Sequence, residues 1–89
     1  MKEPNHPATL DRAQDPFAAL NLPSAVRTRA LKLLQAINQA RTVADCTRAA
    51  DRAEGFTLGL ETVRALNATS LEGLYLVFEQ AATVRLVVL

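Results

Sequence analysis

Between residues 24 and 44, Val26, Ala30, Leu33, Ile37, Ala40 and Ala44 recur at alternating spacings of four and three, which lays one apolar stripe along an α-helix. Leu34 widens that stripe and Leu31 lies outside it. At Ala44 the phase slips, and a second register runs through Cys46, Ala49, Ala53, Phe56, Leu60 and Val63. Such a slip marks either a helix break or a stutter within one long helix. Thr42-Val43-Ala44-Asp45 has the form of a capping box with Asp in place of Glu, so a break near residue 42 is predicted. A single helix through residues 22–67 is the alternative.

The last stretch carries two registers at once. On a helical wheel Leu71, Leu74, Tyr75, Phe78, Ala82 and Leu89 share one face, and Val77, Ala81, Val84 and Val88 form a second stripe beside it. Together they cover about 200°, against the stripe of about 100° typical of a surface helix. One stripe suffices for packing on the chain's own helices, and the other calls for a further partner. The sequence given closes on the apolar run Leu86-Val87-Val88-Leu89, where a solvated end is the norm, so this run is expected to be covered. Its valines leave a short strand as the alternative to helix.

Local signals set the remaining boundaries. Asp15-Pro16 places an N-cap before a proline at the first helical position, and Ser24 and the Thr69-Ser70-Leu71-Glu72 capping box open two more helices. Helices are therefore predicted at about 16–21, 24–41, 43–66 and 70–87. Residues 1–14 read as a mobile tail ahead of a single helical domain at 15–89. Gly55 and Gly59 fall inside the second register, where each costs about 1 kcal/mol relative to Ala. Close approach of another backbone is the preferred reason for them, a turn at Gly55 the second. The expected fold is all-α, a small antiparallel bundle of three main helices plus a short N-terminal helix, completed by homodimerisation.

Composition narrows the class. With 89 residues, 49% hydrophobic and 21% charged, the chain is one globular domain that buries only about 60–65% of its unfolded surface. A net charge of +1 is too small to draw in nucleic acid or anionic lipid by itself. Arg outnumbers Lys eight to two, the mark of a GC-rich and hence bacterial coding sequence. Lys2, Glu3, Pro4 and Pro7 stand where a signal peptide would have an apolar run. Glu72, Glu79, Gln80 and Arg85 interrupt the best candidate for a membrane span. With one cysteine there is no internal disulfide, and the cytoplasm is the expected compartment.

Candidate chemistry is sparse. His6, between Asn5 and Pro7 in the tail, has no scaffold to hold it as a catalytic base. Cys46 shares the apolar face with Ala49 and Ala53 and reads as a small buried hydrophobe. One Cys and one distant His do not make a zinc site. Asp45, Asp51, Glu54 and Glu61 interleave with Arg48, Arg52 and Arg64 as on a solvated helix face. No phosphate loop or nucleophile elbow occurs, so the reading is a non-enzyme without cofactor or metal. Thr42-Val43-Ala44-Asp45, Arg48-Ala49-Ala50 and Thr62-Val63-Arg64-Ala65-Leu66 superficially resemble the two segments of a LacI-type helix-turn-helix. Eleven residues separate Ala50 from Thr62, however, and Asp51 stands where the turn glycine belongs, so no family is assigned.

The function expected from these patterns is a homodimeric regulator or adaptor that binds and modulates a protein partner, for example by sequestering it. Its interface is expected at Tyr75, Val77, Phe78, Ala81, Val84, Arg85 and Val88, with Arg27, Arg29 and Lys32 as a polar rim suited to an acidic partner. A small DNA-binding regulator is the alternative. Arg85 lies between the two apolar stripes, where an unpaired charge is expensive. Either its stem follows the apolar surface while the guanidinium reaches water, or it pairs with an acid such as Glu79 of a dimer mate. Under the second option Arg85→Met changes the oligomeric state.

Overall fold

In the computed structural model, which describes residues 15–89, a 3-10 turn (Ala18–Leu20) precedes three helices, α1 (Ser24–Asn38), α2 (Val43–Thr62) and α3 (Ala68–Val88), with no strand among the described residues. The tail expected at 1–14 and His6 lie outside them. Successive helices run antiparallel. Cys46 near the start of α2 sits by Ala82 near the end of α3, and Glu61 near the end of α2 sits by Tyr75 near the start of α3. All three helices touch one another, so the described chain is a helical bundle.

The break near residue 42 is present and has the expected cause. Thr42 is extended (φ −134°, ψ 160°), and its hydroxyl accepts the Asp45 amide at 3.0 Å, satisfying one of the amides that a helix start leaves unpaired. Other boundaries move. α1 ends at Asn38, not 41, because residues 39–42 must leave helical geometry to set up that cap. Ser24 makes no side-chain cap. α2 ends at Thr62, not 66. The Arg64 amide donates to the Glu61 carbonyl and the Ala65 amide to the Leu60 carbonyl, with Arg64 left-handed at φ 55°. This is a Schellman closure built on arginine where glycine is usual. α3 starts at Ala68, not 70, because Asn67 accepts the Ser70 amide at 2.8 Å and takes the capping role expected of Thr69-Ser70. The final valines stay helical, so the short-strand alternative does not hold.

Phe17, Ala30, Ile37, Ala40, Cys46, Ala49, Ala53, Leu74 and Phe78 form the buried core. Fully burying Ile37 or Leu74 stabilises by about 1.5–3 kcal/mol each. Phe17 reaches the core from outside the helices. Asp15 accepts the Phe17 amide at 2.9 Å and the Arg27 Nε at 2.7 Å, fixing the turn so that the Phe17 ring meets Phe78 edge to face at 5.6 Å and 62°. The segment expected at 16–21 as a short helix is therefore a 3-10 turn that brings Phe17 into the core.

Two polar residues are also buried. Thr57 returns its hydroxyl to the Ala53 carbonyl at 2.9 Å, and Ser70 donates to the Leu20 carbonyl at 3.2 Å, tying the turn to α3. Five of the nine apolar core residues are Ala or Cys, and larger side chains such as Leu31, Leu33, Leu34, Phe56 and Leu60 are only partly covered.

Gly55 and Gly59 lie within an unbroken α2, so no turn occurs there. A Cβ at either would meet nothing within 4 Å, so the close approach expected of them does not occur within the chain. Gly73, which the sequence pattern leaves unremarked, is the crowded one: a Cβ there would collide with the Leu20 side chain.

Candidate functional site

The seven residues expected at an interface separate into distinct environments. Phe78 is buried in the chain's own core, and Val77 and Ala81 pack against that core. Arg85 is partly buried, and its Nε donates to the Ala40 carbonyl at 2.8 Å. Its Nε thus finds an acceptor within the chain, a backbone oxygen at the α1–α2 junction. Tyr75 is half-buried at the α2–α3 seam. Val84 and Val88 stay open to solvent, at 68% and 66% exposure, and Val87 beside them reaches 80%. These three sit at the i, i+3 and i+4 spacing that makes one face of a helix. They continue the row Val77, Ala81 beyond the part that the chain itself covers. Leu86 and Leu89 extend the apolar surface on the other flank.

Of the rim residues, Arg27 pairs with Asp15, whose side chain is 3% exposed, and so holds the turn in place, while the Arg27 side chain itself is 40% exposed. Arg29 and Lys32 are exposed on α1.

A second surface lies along the α2–α3 seam. Ala50, Asp51 and Glu54 from α2 and Tyr75, Phe78, Glu79 and Ala82 from α3 line a groove of about 350 Å³. It continues into a shallower hollow bounded by Glu61, Ala68, Leu71, Glu72, Tyr75 and Leu76. Five of the chain's nine acidic residues border these two hollows, and among the described residues no Lys or Arg does. The Tyr75 hydroxyl donates to Glu61 Oε1 at 3.0 Å. Desolvation at the seam, that hydrogen bond, and the negative charges of Glu61 and Glu54 all push the phenol above its ordinary pKa.

Helical phase alone does not reveal this groove, because it treats the acids of α2 as a solvated face. The legible signal is their spacing. Asp51, Glu54 and Glu61 recur at three and seven, and Glu72 and Glu79 at seven, so each set keeps to one flank of its helix. Which flank meets the neighbouring helix depends on the packing.

Among the described residues no group of three or more His, Cys, Asp or Glu side chains converges as a metal site. Cys46 is fully buried, with its sulfur 3.9 Å from the Ala82 carbonyl oxygen. No described helix is long and apolar enough to cross a membrane. No protein-family model, curated protein or solved structure matches the chain.

Proposed function

We propose that this chain is a small non-enzymatic interaction module, a regulator or adaptor that self-associates through the last turns of α3 and binds a protein partner. One observation carries the reading: Val84, Val87 and Val88, 66–80% exposed, form a contiguous apolar row at the end of a helix whose residues Leu74, Val77, Phe78, Ala81 and Ala82 pack in or against the core. A contiguous apolar patch on a soluble chain is the usual mark of an association surface. The thin, alanine-rich core supports the same reading, since a domain this small gains stability by sharing surface with a second copy.

Sedimentation or light scattering across a concentration series tests it. The wild-type chain is expected to dimerise, and Val84→Asp with Val88→Asp is expected to yield a monomer of unchanged helical circular dichroism. A wild-type chain that stays monomeric, or a double variant that unfolds outright, rejects the surface. Duplex-DNA binding that falls steeply with salt would replace the reading by that of a DNA-binding regulator.

A further inference from the structure

We propose that the groove along α2 and α3 is a docking site for a basic amphipathic helix of a partner protein. The proposal rests on reading the chain as an interaction module and supplies the chemistry of the partner. The bundle has two sides at this seam. The 3-10 turn packs on one side, Leu20 against Gly73 and Ser70 and the preceding Phe17 against Phe78, and α1 packs on both α2 and α3. The residues that line the groove on the other side include none from α1 or the turn. A fourth helix laid there would complete a four-helix arrangement.

The floor suits a helix. Ala50 on the α2 wall and Ala82 on the α3 wall are small, and Tyr75 and Phe78 add apolar surface, so an incoming helix can approach to the usual axis separation of about 8–10 Å. From Leu71 to Ala82 the seam runs for about 16 Å at 1.5 Å per residue. That length accepts about three turns, hence apolar anchors at i, i+3 or i+4, and i+7.

Charge chooses the occupant. Asp51, Glu54 and Glu61 follow the α2 edge, Glu72 and Glu79 follow the α3 edge, and no basic side chain among the described residues lines either hollow. Nucleic acid and acidic segments are repelled, whereas Lys or Arg on both flanks of a partner helix meets opposite charge. A second copy of this chain does not supply such a helix from its described residues. α1 carries the basic residues without an acid, but its apolar anchors Ala30 and Ile37 are buried in its own core. Its outward residues include Thr28, Arg29, Lys32 and Gln35.

The test uses the full chain and a synthetic peptide of about 15 residues, with Leu at helical spacing and Lys on both flanks, read by fluorescence anisotropy. Binding is expected for this peptide and not for a scrambled peptide of the same composition. Glu54→Lys with Glu79→Lys is expected to weaken it at least about tenfold. Both positions are exposed, and Glu54→Gln with Glu79→Gln, expected to show a smaller loss in the same direction, serves if the charge reversal fails to fold. No binding, equal binding of the scrambled peptide, or indifference to both double variants overturns the assignment. Val84→Asp with Val88→Asp is expected to leave peptide binding intact, so failure of the groove and failure of self-association show up in different measurements.

Discussion

Arg85 and Ala40 are 45 residues apart in sequence and joined by one hydrogen bond, the arginine Nε donating to the alanine carbonyl at 2.8 Å. Ala40 follows the end of α1, where the chain turns toward α2 and its carbonyl oxygen has left the helical ladder. A buried carbonyl without a donor is costly. The charged side chain in the middle of an apolar arc is therefore the clasp between the last helix and the first interhelical junction.

Arg85→Met is accordingly expected to lower the stability of the fold by about 1–3 kcal/mol, the range for a hydrogen bond to a charged group, while the oligomeric state is preserved. Urea unfolding followed by circular dichroism, with light scattering on the same samples, reads both. A variant of unchanged stability but altered association would return Arg85 to the interface.

Asp15 and Arg27 form an asymmetric pair, and the two deletions should not be equivalent. The Asp15 side chain is 3% exposed and that of Arg27 40%. Arg27→Met leaves the carboxylate enclosed, holding only the Phe17 amide, whereas Asp15→Asn keeps a polar group at the turn and lets Arg27 hydrate. Arg27→Met is expected to cost the more of the two, about 2–4 kcal/mol. Thermal unfolding of the two variants side by side decides it, and equal losses would argue against burial of the carboxylate.

Glycine is present where the backbone does not require it and absent where it would help. Gly55→Ala and Gly59→Ala, at open positions inside α2, are each expected to stabilise by about 0.5–1 kcal/mol. Arg64→Gly, at φ 55°, is expected to stabilise by about 1 kcal/mol through relief of left-handed strain. Gly73→Ala should gain less than Gly55→Ala, because Leu20 must rotate to make room. Denaturant midpoints rank all four. A loss at Gly55 or Gly59 would show that another backbone meets that face in the assembled protein.

Tyr75 is the chain's one tyrosine and there is no tryptophan, so the phenolate absorbance band reports this residue alone. Its folded pKa is raised by desolvation, by its bond to Glu61 and by neighbouring negative charge. The protonated form is favoured in the folded state, so the stabilisation is complete below the unfolded value of about 10 and is lost as pH rises through the higher folded value. Alkaline titration should give a midpoint above that of the urea-unfolded chain. Glu61→Gln should lower it, and coincident midpoints would sever Tyr75 from the acid-lined groove.

The chain's local chemistry determines its helices. The shift of register at Ala44 and the Thr42 cap place the break between α1 and α2, because a side chain three residues from an amide supplies the signal within one turn. Asp15-Pro16 likewise announces the turn that carries Phe17. Packing decided the rest. Asn67 won the cap from Thr69, and the Ser70 hydroxyl reaches the Leu20 carbonyl, 50 residues away. Thr57 entered the core because its hydroxyl is satisfied by its own helix, an option that a hydrophobicity pattern does not score. The double stripe on α3 was legible as a surplus of apolar surface. Its division was not: Val77 and Ala81 are covered where α3 lies against the other elements, Val84 and Val88 stay exposed, and Arg85 finds a backbone oxygen that no residue pattern encodes. Helical phase depends on neighbours three and four residues apart, whereas the acid-lined groove and the Arg85 clasp depend on how whole helices are placed beside one another.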